Sequence, residues 1–526
     1  MPKPADNVID VVAAGVDSTG ERDVTKDLRR LADGLPTGGE LYFPRGTYWI
    51  EDWQIRRDDL TVRLAPGAFL LSRAGGTRAD RRRAIWVADA ARVTIRGPGM
   101  IQGHYALTID RAPDVTVADA YLRSEAIGKP GVTAAGNEDG GRGLMLGLSD
   151  RYHLKNLKIF TVIDQEAGKG KDAMNLASSS DSLVEGCLTL SGDDTYAIKG
   201  RHDDEEWLQV DLGRPVELDR VVLRWGLAYW PAWRVLESGD GVDWTELGRA
   251  AVSPTESVAG LAQAVSVKGR ARYLRVQAAG KAVDFYHGDL VRALEVYGAA
   301  RPSENLAGGR PASDSGRGQP WTPEQTAAAA VDGDPQTSWA RSYRSERVLF
   351  RNNIALVTAN AVKIGTGADY GADDITWIDH DIVDAGWMAP VDQGGAGGGM
   401  LNFSHYNFDH VPHEMAMRRI RVKNTRFEAT SGIVEVGWYF WRKDESFIFA
   451  TDLDADFEDV TFDHIEPGRT KFRVLADPAT ARIRMTFTNL RVAGRLIHGW
   501  DDLRSVGVVV DLRGLGDDDS IEFFAR

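Results

Sequence analysis

Over most of the chain, apolar and polar positions alternate in short runs that end at Gly, Asn or Asp, a pattern that predicts short strands closed by turns. The runs V-T-I-R at 93–96, V-T-V-A at 115–118, L-K-N-L-K-I at 154–159, I-T-W-I-D at 375–379 and M-T-F-T-N-L at 485–490 share one flavour. Helical spacing stands out only at 24–35, where Val24, Leu28, Leu31 and Ala32 recur. The strand unit repeats: Val93 to Val115 is 22 residues, and Ile354 to Ile375 is 21. Such a period predicts a solenoid of stacked coils. Leucine-rich helical signals are missing, so the reading is an all-β chain forming a right-handed parallel β-helix. A large β-sandwich is the rival arrangement.

One stretch breaks the rhythm. Between 201 and 342 lie Trp207, Trp225, Trp230, Trp233, Trp244, Trp321 and Trp339, seven of the chain's 15 tryptophans. This predicts an inserted β-sandwich, and hence a β-helix at 1–200, an insert at 201–342 and a returning β-helix at 343–526. The composition is that of an ordinary globular chain, with 526 residues, 43% apolar, 27% charged, 56 Gly and 20 Pro. No apolar run is long enough to cross a membrane as a helix. The net charge of −14 argues against nucleic acid or an anionic membrane as partner. The single cysteine, Cys187, excludes an intramolecular disulfide and a Cys-based zinc site. The start, M-P-K-P-A-D-N-V-I-D, has no basic segment followed by an apolar core. The expected location is cytoplasmic if Met1 is the native start and secreted if a signal has been trimmed.

Three segments resemble known families. N-V-I-D-V-V-A-A-G-V-D-S-T-G at 7–20 and G-G-E-L-Y-F-P-R-G-T-Y at 38–48 resemble the opening of pectate-lyase-superfamily β-helices. K-D-A-M-N at 171–175, followed by S-G-D-D-T-Y-A-I-K-G at 191–200, resembles the active-site coils of polygalacturonase-like glycoside hydrolases, family 28. The resemblance implies that Asp172, Asp193 and Asp194 are catalytic and that Lys199 matches the family's following lysine. At the family's histidine position stands Asn360, in N-A-V-K-I-G-T. The family's downstream Arg-x-Lys, which grips a uronate, has no counterpart; the region reads G-G-A-G-G-G-M at 394–400. Dextranase-like β-helices, family 49, offer a comparable template with neutral glucans. The insert resembles a discoidin (factor 5/8 type C) jelly roll through W-L-Q-V-D-L-G at 207–213, S-G-D-G-V-D-W at 238–244 and R-Y-L-R-V at 272–276. E-N-L-A-G-G-R-P-A-S at 304–313 and A-V-D-G-D-P-Q-T-S-W at 330–339 normally come first in that fold, so the insert reads as circularly permuted.

The residues themselves support this chemistry. Asp172 and Asp193 are 21 residues apart, one coil, and residues one coil apart stack at roughly 4.8 Å. Three clustered carboxylates repel, so one pKa should rise to make an acid while a neighbour stays ionised as a base. Such a pair serves glycoside hydrolysis with inversion. Lys199 is expected to hold an aspartate or a sugar hydroxyl, and Asn360 and Lys363, one coil on, are candidate substrate contacts. His405, in S-H-Y-N-F-D-H-V-P-H-E, is expected on a substrate-contacting loop; the spacing fits no helix-borne zinc motif, so no metal is expected. Trp441 closes an aromatic run, W-Y-F-W, able to stack on sugars or to pack a core, and the loop from Trp225 to Trp233 is a further stacking candidate. No cofactor is required, and a structural calcium in the insert is compatible with the sequence. The leading expectation is an inverting glycoside hydrolase acting on a carbohydrate, with room for a homo-oligomer. The rivals are a polysaccharide lyase on the same fold and a non-catalytic, tailspike-like glycan-binding protein.

Overall fold

The computed structural model describes residues 7–73, 83–124, 142–161, 163–164, 169–170, 172–199, 206–226, 229–230, 232–251, 261–279, 290–315, 319–320, 325–339, 341–342, 345–358, 360–365, 372–385, 401–404, 415–430, 432–436, 451–476 and 481–526. The chain divides into two units. The first comprises Met1–Lys199, Ser345–Tyr406 and Glu414–Arg526, and the second is carried by Gly200–Arg344.

The first unit is a parallel β-helix. Eleven strands stack in chain order into one sheet, from Trp53–Ile55 through Arg83–Ala88, Tyr105–Asp110, Leu144–Gly147, Met174–Ala177, Tyr196–Lys199 and Val362–Gly365 to Leu401–Ser404, Gly432–Val436, Lys471–Leu475 and Val509–Arg513. Each coil also feeds a second and a third stack, such as Thr94–Arg96 on Thr116–Ala118 and Met100–Gly103 on Tyr121–Ser124. Inward positions form one apolar column, including Leu144, Met174, Tyr196, Val362, Val434 and Phe472 in the same register row. A helix at Thr25–Gly34, within one residue of the expected 24–35, packs Leu28 and Ala32 over the first coils.

The corners explain why so many Asp, Asn and Arg residues punctuate the strands. One corner stacks Asp59, Arg92, Asp114, Arg151, Asp181 and Arg347, each with φ between 52° and 59°. Alternating signs pair up that corner, as in Arg92 to Asp59 at 2.6 Å and Arg151 to Asp114 at 2.7 Å. These pairs are exposed and contribute little stability individually. A second corner uses short amides able to adopt the left-handed region: Asn156 donates to Asp119 at 3.1 Å and Asn424 to Asp379 at 2.7 Å. Gly186 takes the same corner with φ 63°, and a Cβ there would lie 2.6 Å from Asn156 Oδ1.

The β-helix closes across the second unit without losing register. Leu183 pairs with Leu349, 166 residues on. Removing the 144 positions of 201–344, with Gly200 kept, leaves 22, the same as between Met174 and Tyr196 in the preceding coil. In that coil Ala177 reaches Ser179 through one corner residue, Ser178, at φ 55°. A chain in which Gly200 is joined to Ser345 reproduces that step with the residue best suited to a left-handed corner. Such a chain is expected to be soluble, with a single cooperative melt followed by circular dichroism. Aggregation on expression, or no β-sheet signal, would refute this continuity.

The second unit is a β-sandwich. Its long strand Trp207–Trp225 pairs with Arg270–Ala278 through its first part and with Val291–Gly298 through its second. The core holds Trp225, Trp230, Trp233 and Trp339, all fully buried. The three tryptophans of the 225–233 segment therefore fill the core and offer no sugar-stacking surface: their rings pack edge to face around Trp225. Ala307, Val331 and Trp339 share that core, and Ala312–Asp314 pairs with the stretch 208–210, so both late-coming motifs belong to the same sandwich.

Candidate active site

On the eleven-strand sheet, side chains between two inward residues face away from the core. Two rows result. The row just before the strands runs Tyr105, Arg142, Asp172, Asp194, Asn360. Its stacking is fixed by backbone bonds such as Ala173 N–H to Asp194 O at 2.9 Å and Thr195 N–H to Asn360 O at 2.9 Å. The outward row at the strand centres runs Met145, Asn175, Ala197 and Lys363 and resumes with Glu435, Arg473 and Asp511, with Asn402 at the register position between Lys363 and Glu435.

Asp172, Asp193 and Asp194 converge where the rows meet, with one carboxylate oxygen from each lying within 4.8 Å of the others. Asp172 and Asp194 are buried, and Asp193 is half-buried. Asp172 Oδ2 accepts from Asn175 Nδ2 at 2.7 Å and from Arg142 Nε at 3.2 Å, and its Oδ1 accepts the Asp194 N–H at 3.4 Å. Asp194 Oδ1 accepts from Asn360 Nδ2 at 2.5 Å, and Oδ2 lies 3.2 Å from Lys363 Nζ. Burial opposes the charge on Lys363, but Asp194, Asp193 and Asp172 outweigh it and its pKa is raised. Burial likewise opposes the charge on Arg142, and Asp172 outweighs it. Both cations are thus held charged beside the carboxylates. A divalent cation among the three aspartates would compete with these two fixed positive charges.

Several expected site residues meet here and several fall elsewhere. Asn360 and Lys363 are one coil on, as the spacing implies, but both grip Asp194 and are themselves buried. Lys199 ends its strand beside Ala177, and its side chain lies outside the described residues, as do His405 and Trp441. Sequence reasoning missed Arg142, Asn175 and Glu435. Arg142 carried a signal, since it stands two residues before a strand that pairs in register with Met174–Ala177. Glu435 also carried one, as a lone acid between Val434 and Val436, both core residues. Its side chain is buried, and burial pushes its carboxyl up to about 8 against the pull of Arg473, Lys471 and Lys363.

Residues 177–289 match the F5/8 type C domain family. The match begins on the β-helix, whose strands continue to Lys199, and stops short of Trp339 in the sandwich core. No curated protein matches the chain. Among solved structures, the chain is similar to an exopolygalacturonase from Thermotoga maritima, at 9% identity over 94% of each chain with a TM-score of 0.49. It is similar to a polygalacturonase from Erwinia carotovora ssp. carotovora, at 9% identity over 100% of this chain and 98% of that one, with a TM-score of 0.46. An endo-xylogalacturonan hydrolase from Aspergillus tubingensis matches at 8% identity over 97% and 98%, with a TM-score of 0.44. None of these likenesses assigns a role to a residue here.

Proposed function

We propose that the β-helix is a glycoside hydrolase acting on a carbohydrate polymer with inversion. Asp193 is the general acid, and Asp172 and Asp194 hold and deprotonate the attacking water. The observation that carries this reading is the set of three carboxylates within 4.8 Å, two of them pinned by Arg142 and Asn360 from neighbouring coils. Asp172 and Asp194 are fixed by side-chain hydrogen bonds, as a pair that positions water requires, and Asp193 is the more exposed of the three, as a group that must meet the glycosidic oxygen requires.

The spacing alone favours the other stereochemistry: retaining pairs stand about 5 Å apart and inverting pairs roughly 6.5–9.5 Å. Inversion is favoured by the occupancy of the oxygens. Both oxygens of Asp172 and both of Asp194 already have protein partners. A nucleophile must present an uncommitted oxygen to the anomeric carbon, whereas a water-holding carboxylate needs only to accept one more hydrogen bond. Asn360 and Lys363 then position Asp194, and Arg142 and Asn175 position Asp172.

The test is reducing-sugar release over a panel of neutral and acidic glycans, with the anomer of the first product followed by proton NMR. The first-formed anomer is expected opposite to the linkage cleaved. Retention would make one of the aspartates a nucleophile and remove the water-holding role. Product absorbance typical of unsaturated sugars would replace hydrolysis by elimination.

A further inference from the structure

Arg142 is the most exposed of the groups that hold the aspartate trio. Its side chain is 27% exposed, against 8% for Lys363, and Asn175 and Asn360 are buried. It meets Asp172 through Nε alone at 3.2 Å, the long end of a hydrogen bond. Asp193 faces the same guanidinium. One long cation therefore stands within reach of two carboxylates. A second contact comes from the preceding rung, where Arg142 Nη1 donates to the Tyr105 hydroxyl at 3.3 Å. Tyr105, Arg142 and Asp172 stand on successive rungs, with Ala106 N–H bonding Arg142 O at 3.2 Å and Gly143 N–H bonding Asp172 O at 3.4 Å. The guanidinium thus spans the rungs on either side of it, one nitrogen on Tyr105 and another on Asp172. Tyr105 is a firm anchor. It is 7% exposed, and its ring meets His104 edge on, with centroids 5.1 Å apart. A phenol hydroxyl accepts from a guanidinium without neutralising it, so the cation keeps its charge for Asp172.

Resting on the glycosidase reading above, we propose that Tyr105 is a positioning residue: its hydroxyl holds the far edge of the Arg142 fork and so keeps Nε on Asp172 and the guanidinium off Asp193. With that hold, Asp172 stays oriented toward the water and Asp193 is open to the glycosidic oxygen. Without it, the fork is free to swing to Asp193 and occupy the carboxyl that must meet the substrate, while Asp172 loses a tether. Such a displacement acts on the geometry of the reacting groups rather than on substrate binding, so it is read in kcat rather than in KM.

The test is a double-mutant cycle of the full chain: wild type, Tyr105→Phe, Arg142→Met and the double variant. Tyr105→Phe keeps the ring and deletes the hydroxyl. kcat and KM are measured on the best glycan of the panel, alongside urea melts of the same four proteins. Tyr105→Phe is expected to lower kcat about tenfold, with KM within about twofold of wild type. In the Arg142→Met background it should cost nothing further, because the hydroxyl acts through Arg142, and the urea melts should be non-additive in the same sense. Wild-type kcat in a folded Tyr105→Phe variant, or kcat losses that multiply in the double variant, overturns the proposal. A loss confined to KM also overturns it and makes Tyr105 a substrate contact. If Arg142→Met does not fold, Arg142→Lys, which keeps the charge but lacks the fork, takes its place in the cycle. A wild-type chain that turns over no glycan sinks the glycosidase reading instead. The urea cycle then tests the hold by itself, and losses that simply add there overturn it.

Discussion

Replacing Asp193 with Asn is expected to lower the rate of glycan hydrolysis by at least about 10²-fold, the usual scale for losing a positioned general acid. The fold should be untouched. Asp193 is the one member of the trio that is half-buried rather than buried, and Asn keeps its shape. As the general acid Asp193 carries its proton, so Asn replaces one neutral group by another of the same shape and the melting temperature should hold. Asp172 and Asp194 are poorer first tests, because each anchors hydrogen bonds from neighbouring coils and its loss would mix catalysis with packing. The measurement is initial reducing-sugar release on the best glycan of the panel, alongside a thermal melt of the same preparation. A folded Asp193→Asn variant with wild-type turnover would remove Asp193 from the chemistry.

Much of this architecture was legible because a β-helix writes its geometry into the chain twice. The period-two runs give the strands, and the spacing between them gives the coil. Asp172 and Asp194, 22 residues apart, therefore had to share a patch, and their side chains and backbone do meet. The corners were legible in part. Asp and Asn at 119, 156, 379 and 424 read as turn punctuation, but their pairing across coils, Asn156 with Asp119 and Asn424 with Asp379, depends on coil lengths that vary along the helix. Variable coil length also hid Arg142. It lies 30 residues before Asp172, whereas Asp172 lies only 22 before Asp194. A search at a fixed period passes over it.

The tryptophans of the insert show a different limit. A Trp in a loop-like stretch has the same composition whether it stacks on a sugar or fills a core. Trp230 is settled as core only once Trp225 and Trp339 are seen packed edge to face against it. Lys363 stands one coil on, as the spacing implies, and the sequence could not show which side chain it would meet there. Only the 3.2 Å approach to Asp194 shows that its charge is paired there.

That pairing sets the second large effect. Lys363→Met keeps the length and apolar stem of the side chain but deletes the cation, leaving Asp194 buried with Asn360 and two further carboxylates nearby. Breaking a buried ion pair by removing one partner typically costs about 3–5 kcal/mol, because the remaining charge loses its compensation. The same variant should lose activity, since the ammonium that holds the Asp194 carboxylate in place is gone. The pH dependence has a definite sign. The folded-state pKa of Lys363 is raised, so its stabilisation is fully present below its ordinary value of 10.5 and is lost as pH rises through the higher folded value. The penalty in Lys363→Met should therefore be present throughout the neutral range. Asp194→Asn in the Lys363→Met background removes the stranded charge and should recover a large part of the lost stability without recovering activity. Urea melts of wild type, both single variants and the double variant give the coupling energy directly. A Lys363→Met chain as stable as wild type, or single-variant losses that simply add in the double, would show that the pair holds neither the fold nor the Asp194 carboxylate in place.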